Sequence, residues 1–122
     1  LNGGDNKSDV DDLGFIDALI NKLSSENLID LKRVYAFGYS NGGMMSYALG
    51  CYKSNLIAAI GSVSGYMLQS TSSVSESECT PTHSIPLIKL HGTTDYYDGG
   101  GVYNSVESVI NFWVDFNNTD TD

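Results

Sequence analysis

Gly38-Tyr39-Ser40-Asn41-Gly42 is the segment of this 122-residue sequence whose residue types suit covalent chemistry. A serine flanked at two residues on each side by glycine fits a turn between strand and helix. That turn is so sharp that the serine backbone is strained and its hydroxyl projects outward. On this reading both glycines are required, because a Cβ at either would collide with the neighbouring strand or helix. A hydroxyl is a poor nucleophile at neutral pH, so it needs a base to take its proton and donors for the oxyanion that forms on an attacked carbonyl. The backbone N–H of Asn41, at the start of the following helix, is the expected donor, and the chemistry is acyl transfer. A glycine-rich turn alone also occurs in purely structural connections. Here Val34 to Gly38 before it is β-prone, and Met44, Met45, Tyr47, Ala48 and Leu49 after it suit a helix.

A second group follows downstream. His91-Gly92-Thr93-Thr94-Asp95 comes directly after the apolar run Pro86 to Leu90, which places the Asp95 carboxylate past a strand end on the same sheet edge as Ser40. In a catalytic triad such a carboxylate fixes the tautomer of a histidine and stabilises its charged form. A lone aspartate at that place would be a turn or cap residue; the order serine then acid favours the triad. His83 and His91 are the two histidines. His91 is too near Asp95 in sequence to serve as the base, and His83 falls in a polar loop. The expected role of His91 is to shape the pocket floor or make a buried hydrogen bond.

The elements that position these groups alternate. Val10, Leu13, Phe15, Ile16, Leu19, Ile20 and Leu23 recur at helical spacing, predicting a helix from Asp9 to Glu26 whose first turn carries Asp9, Asp11 and Asp12 at the favourable end of the dipole. Leu56 to Val63 and Pro86 to Leu90 read as strands buried on both faces of a parallel sheet. The stretch Gln69 to Ser84 reads as a polar loop, and Ser105 to Asn117 as a last helix. Alternation of this kind implies βαβ units with right-handed crossovers and ligands beyond the carboxyl ends of the strands. The whole is one α/β domain, although three strands is few for a stable parallel sheet.

Composition narrows the function. Fifteen acidic against six basic residues give a net charge of −9, which repels nucleic acid and anionic lipid surfaces. No apolar run approaches the roughly 20 residues of a membrane helix, so no membrane partner is expected. The two cysteines, Cys51 and Cys79, have no second pair at metal-ligand spacing, which argues against zinc and leaves a disulfide or two buried thiols.

Three stretches, Arg33 to Tyr47, His91 to Asp95 and Ser105 to Asn117, resemble the secreted esterase family of poly(3-hydroxybutyrate) depolymerases and feruloyl or acetylxylan esterases, within the α/β-hydrolase superfamily. The resemblance implies a partial α/β-hydrolase fold over residues 1–122, with parallel strands and flanking helices. The stretch corresponds to the later part of such a domain, its first strands and last strand being outside this chain. It implies Ser40 as nucleophile and Asp95 as triad acid, with the catalytic histidine beyond Asp122, no cofactor and no metal. It implies a polymeric or small ester as substrate. Tyr39, His91, Tyr96 and Tyr97 are the candidates to line an acyl or aryl pocket, and Trp113 is expected in the core. Export is expected, with the signal peptide not in this chain, and a Cys51–Cys79 disulfide suits an exported enzyme. Two other readings stand beside this one. The chain is then a non-catalytic fragment or binding module that pairs or self-associates through open sheet edges, or a serine peptidase on the same scaffold.

Overall fold

A computed structural model describes residues 10–67, 78–95 and 104–119. Helix α1 (Asp12–Ser25) begins where the Asp11 side chain accepts the Gly14 N–H at 2.9 Å, satisfying one of the donors that a first helical turn leaves open. Asp9 lies outside the described residues. Asp30 caps a short 3-10 turn, Leu31–Arg33, and leads into strand β1 (Tyr35–Tyr39). Helix α2 (Asn41–Tyr52) follows after a single residue. Strand β2 (Ala59–Val63), strand β3 (Leu87–Leu90) and helix α3 (Val106–Asn117) complete the order.

The sheet is parallel throughout, in the order β1-β2-β3, with Phe37 opposite Gly61 and Gly61 opposite Ile88. Leu13 and Ile20 of α1, Tyr47, Ala48 and Leu49 of α2, Ile60 of β2, and Val109 and Trp113 of α3 share one core cluster. Three helices therefore cover one sheet face. Trp113 is core as expected, stacked on Tyr47 with ring centroids 6.2 Å apart. Two hydrogen bonds of 2.8 Å from the Asn117 side chain to the Ile85 backbone hold the end of α3 against the approach to β3.

The expectation that the strands within Leu56 to Val63 and Pro86 to Leu90 are buried on both faces holds for β2, where every residue is buried or half-buried, and is not met by β3. Tyr35, Phe37 and Tyr39 of β1 and Ile88 and Leu90 of β3 are exposed, Phe37 at 69% and Tyr39 at 72%. In a strand, alternate side chains take opposite faces. All three described helices lie on the face of Ala36, Ile60 and Leu87, so the other face is uncovered among the described residues. The Phe37 ring leans over Gly61, where a Cβ would sit 2.3 Å from its Cδ2, so the one position without a side chain on that face lets the aromatic fold down.

Cys51 and Cys79 form a disulfide that ties the end of α2 to the segment before β3. Beside it, Ser54 Oγ accepts the Thr82 N–H at 2.9 Å, and Lys53 bonds Asp17 of α1 at 2.8 Å. The Lys53 ammonium holds the Asp17 carboxyl below its ordinary value. The end of α2 is thus anchored to both neighbours in sequence, which fixes the helix whose other end carries Ser40.

Candidate active site

Ser40 has φ 53° and ψ −116°. Positive φ is unfavourable for a residue with a Cβ and persists only where the surroundings over-determine it. Two backbone hydrogen bonds do so here: Ser40 N–H donates to the Val63 carbonyl at 2.8 Å, and Met44 N–H to the Ser40 carbonyl at 3.0 Å. The residue is at once the rung beyond β1 and the N-cap of α2. Its side chain makes no capping bond, and the residue is exposed, so the hydroxyl is available to a reactant. Asn41 is the first residue of α2, whose N–H has no partner within the helix and points along the dipole axis.

The glycines divide their work differently from the expectation. A Cβ on Gly38 would meet the Gly42 carbonyl carbon and oxygen at 2.2 Å, so Gly38 is required. A Cβ on Gly42 would meet nothing within 4 Å among the described residues, so the collision expected there is absent. Gly43 carries the constraint instead: its Cβ would stand 2.6 Å from Ser62 Oγ and 3.1 Å from Gly65 Cα. The reason is helical geometry, since the inward side of the first turn falls one residue later than the symmetric pattern suggests.

The ladder continues past the strands. Ser64 N–H donates to the Leu90 carbonyl at 2.9 Å, so Ser40, Ser64 and His91 stand at one level along the carboxyl edge of the sheet. Neighbouring strands are about 4.8 Å apart, which places the Ser40 and His91 backbones roughly 10 Å from each other. Asp95 follows in a turn closed by its N–H on the Gly92 carbonyl at 3.1 Å. Its side chain is 41% exposed and its Oδ2 lies 3.6 Å from His91 Nε2. Ser40 and Asp95 therefore both lie at the carboxyl edge of the sheet.

His91 is turned inward, its side chain only 3% exposed. Its Nε2 lies 3.1 Å from the Tyr66 hydroxyl and its ring meets Tyr66 edge-on at 4.8 Å. Burial first, then the Lys89 cation, lower its pKa below the ordinary 6.5, with Asp95 opposing. His83 is placed on Thr82 Oγ1 at 3.2 Å. The hydrogen-bond partners of the two histidines are thus Tyr66 and Thr82. Tyr39 lies on the uncovered face next to Ser40, and Tyr96 and Tyr97 fall outside the described residues.

Two residues that the sequence reading did not select lie behind this edge. Lys89 Nζ donates to the Gly65 carbonyl at 2.9 Å and the Tyr47 hydroxyl at 3.1 Å, and sits 5.4 Å from the Tyr47 ring centroid. Burial pulls its pKa down to about 8 while Asp95 acts to raise it. Burial also pushes the Tyr47 phenol up to about 12, with the nearby Ser62 hydroxyl acting the other way. Ser62 Oγ itself is buried with no hydrogen bond of good geometry among the described residues. Tyr66 bonds the acid turn directly, its hydroxyl donating to the Asp95 carbonyl at 2.8 Å. The signal for Lys89 was present in the sequence as a lone cation within an apolar strand.

A groove of about 410 Å³ lies elsewhere, between β3 and α3, lined among others by Leu87, Ile110, Trp113 and Asn117. It is lined by neither Ser40 nor Asp95. Among the described residues no group of three His, Cys, Asp or Glu is placed to hold a metal, and no helix is long and apolar enough to cross a membrane.

The chain is similar in sequence to proteins named esterases. Over 96 residues, covering 76% of this chain and 18% of the relative, the sequence is 35% identical to feruloyl esterase B of Piromyces equi. It is 29% identical over 103 residues to the probable feruloyl esterase C of Aspergillus niger, covering 82% of this chain and 36% of the relative. It is 28% identical over 95 residues to feruloyl esterase D of Neurospora crassa, covering 78% and 30%. The chain thus spans between 18% and 36% of the length of these relatives. Residues 6–119 match the phospholipase/carboxylesterase family, and with the strained serine turn on a parallel sheet this chain belongs to that family of the α/β-hydrolase superfamily.

Proposed function

We propose that the protein carrying this chain hydrolyses carboxylic esters through an acyl-enzyme. The observation that carries the reading is the positive-φ Ser40 at the junction of β1 and α2, uncapped and exposed at the carboxyl edge of the sheet. Ser40 Oγ attacks the ester carbonyl as a histidine takes its proton. The carbonyl electrons pass to oxygen, where the Asn41 N–H stabilises them. When the carbon–oxygen bond to the alcohol breaks, the same histidine gives the alcohol its proton. Water then repeats the sequence and frees the acid. Asp95 orients that histidine. In this reading the base is a histidine other than His91 and His83, whose hydrogen bonds go to Tyr66 and Thr82.

The names of the relatives favour a feruloyl ester over a polyhydroxyalkanoate as substrate. The Cys51–Cys79 disulfide favours an oxidising, extracytoplasmic location. A second reading rests on the exposed row Tyr35, Phe37, Tyr39, Ile88 and Leu90: the chain by itself associates through its sheet and does no chemistry.

A fluorophosphonate probe separates the two. Labelling of Ser40 in the longest reading frame containing this chain, abolished by Ser40→Ala together with a fall in ester turnover of several powers of ten, is the expected result. Wild-type turnover in Ser40→Ala would end the assignment.

A further inference from the structure

We propose that Tyr66 is a positioning residue for Asp95, setting through its hydroxyl where the acid turn stands relative to Ser40. The inference rests on the reading of Asp95 as the acid that orients the base.

Tyr66 follows β2 by three residues and is 7% exposed, with Met44 of α2 packed in the same small cluster. Its hydroxyl donates to the Asp95 carbonyl at 2.8 Å, across 29 residues of sequence. A phenol has one proton, so the oxygen that gives it to Asp95 receives from His91 Nε2 at 3.1 Å. That arrangement places the His91 proton on Nε2, which also faces Asp95 Oδ2 at 3.6 Å, beyond hydrogen-bond length. His91 Nδ1 is left buried with no partner among the described residues, which is the arrangement of a neutral ring carrying one proton on the other nitrogen. The Asp95 backbone is thus held through its carbonyl without using the carboxylate, which keeps 41% of its side chain exposed for a donor from the solvent side.

The support of Tyr66 is itself rigid. Lys89 donates to the carbonyl of Gly65, the residue before it, and the Tyr66 ring stands edge-on to His91 at an interplanar angle of 81°. Within the turn, the Asp95 N–H reaches back to the Gly92 carbonyl, and Tyr66 supplies a tie from the loop after β2. A carboxylate in a turn closed by one local bond needs such a tie to be held to the sub-ångström placement that triad chemistry demands.

The test is a double-mutant cycle on ester turnover in the longest reading frame containing this chain, using 4-nitrophenyl butyrate for rates and a fluorophosphonate for slow variants. Tyr66→Phe removes only the hydroxyl. It should lower kcat by about 5-fold if one neutral hydrogen bond is lost, up to about 100-fold if the turn moves by 1 Å, with KM within about twofold. The same substitution made on Asp95→Asn should change the residual rate by less than about twofold, because there is no carboxylate left to place. An equal factor in both backgrounds would overturn the proposal, and so would a kcat unchanged by Tyr66→Phe alone. Wild-type turnover in Asp95→Asn would instead show that Asp95 is not the acid, a failure of the esterase triad that this arm identifies separately.

Discussion

Gly38→Ala is the substitution whose consequence the structure defines most narrowly. The new Cβ would stand 2.2 Å from both the carbonyl carbon and oxygen of Gly42 and 2.7 Å from its Cα, all backbone atoms of the first turn of α2. No rotamer change relieves an overlap between two backbones, so β1 and α2 must separate by about 1 Å to restore ordinary contact. That opening stretches the bonds from Ser40 N–H to Val63 and from Met44 N–H to Ser40, now 2.8 and 3.0 Å. Each is worth about 1 kcal/mol, and the residual overpacking about 1 to 3 more, so the loss is roughly 3 to 5 kcal/mol. Ser40 moves with the turn, and a 1 Å misplacement costs about 100-fold in rate. Gly42→Ala is the matched control, since its Cβ meets open space and alanine is the better helix former by up to about 1 kcal/mol. Urea unfolding of this chain and ester turnover of the protein carrying it measure the two effects. A Gly38→Ala variant with unchanged midpoint and rate, or a Gly42→Ala variant equally damaged, would refute the reasoning.

Reduction of Cys51–Cys79 should lower stability by about 3.6 kcal/mol on the chain-entropy estimate for a loop of 28 residues, read from urea curves with and without a phosphine reductant; a loss below about 1 kcal/mol would show that Ser54, Thr82 and Lys53 hold the loop unaided. Lys89 has a folded pKa of about 8 against an ordinary 10.5, so between those values the unfolded chain binds more protons and stability rises with pH. Allowing for solvent around a partly buried side chain, the gain from pH 8 to 10 is about 1 kcal/mol, before Tyr47, raised to about 12, begins to reverse it above pH 10. Lys89→Met should remove the slope in denaturant melts at pH 8 and 10, and a slope that persists would assign it to other groups.

Local signals in the sequence carried most of the scaffold. The strand, the serine turn and the helix after it are encoded within 18 consecutive residues, Tyr35 to Tyr52, and emerge with bounds shifted by about one residue. The predicted helix from Asp9 starts later, because Asp11 acts as cap rather than as a first-turn residue. Of its apolar stripe only Leu13 and Ile20 are buried, while Phe15 and Leu19 lie exposed, because periodicity shows which side is apolar and not how much of it a neighbour covers. The turn after β3 was legible through Asp95 alone. What holds it was not, because Tyr66 reaches Asp95 across 29 residues and Lys89 reaches Gly65 across 24, contacts that no local pattern encodes.

Ser40 and Asp95 are connected by a short series of backbone contacts rather than by proximity of their side chains. Gly38 lies against Gly42, which sets the pitch of the serine turn. One residue on, Gly43 meets the loop after β2: a Cβ on Gly65 would come within 2.7 Å of the Gly43 carbonyl carbon. The Gly65 carbonyl is held by Lys89 of β3, and the next residue, Tyr66, holds the Asp95 carbonyl. Each step is a hard contact or a hydrogen bond of 2.9 Å or less, so displacement of the Ser40 turn is passed to the Asp95 turn with little slack. Glycines at 38, 43 and 65 let the backbones approach this closely, and a Cβ at any of them would have to move another backbone or the buried Ser62 hydroxyl. The sheet edge therefore sets the spacing between Ser40 and Asp95 as a single quantity, and under the proposed mechanism a histidine that bridges them would meet two partners whose separation is already set.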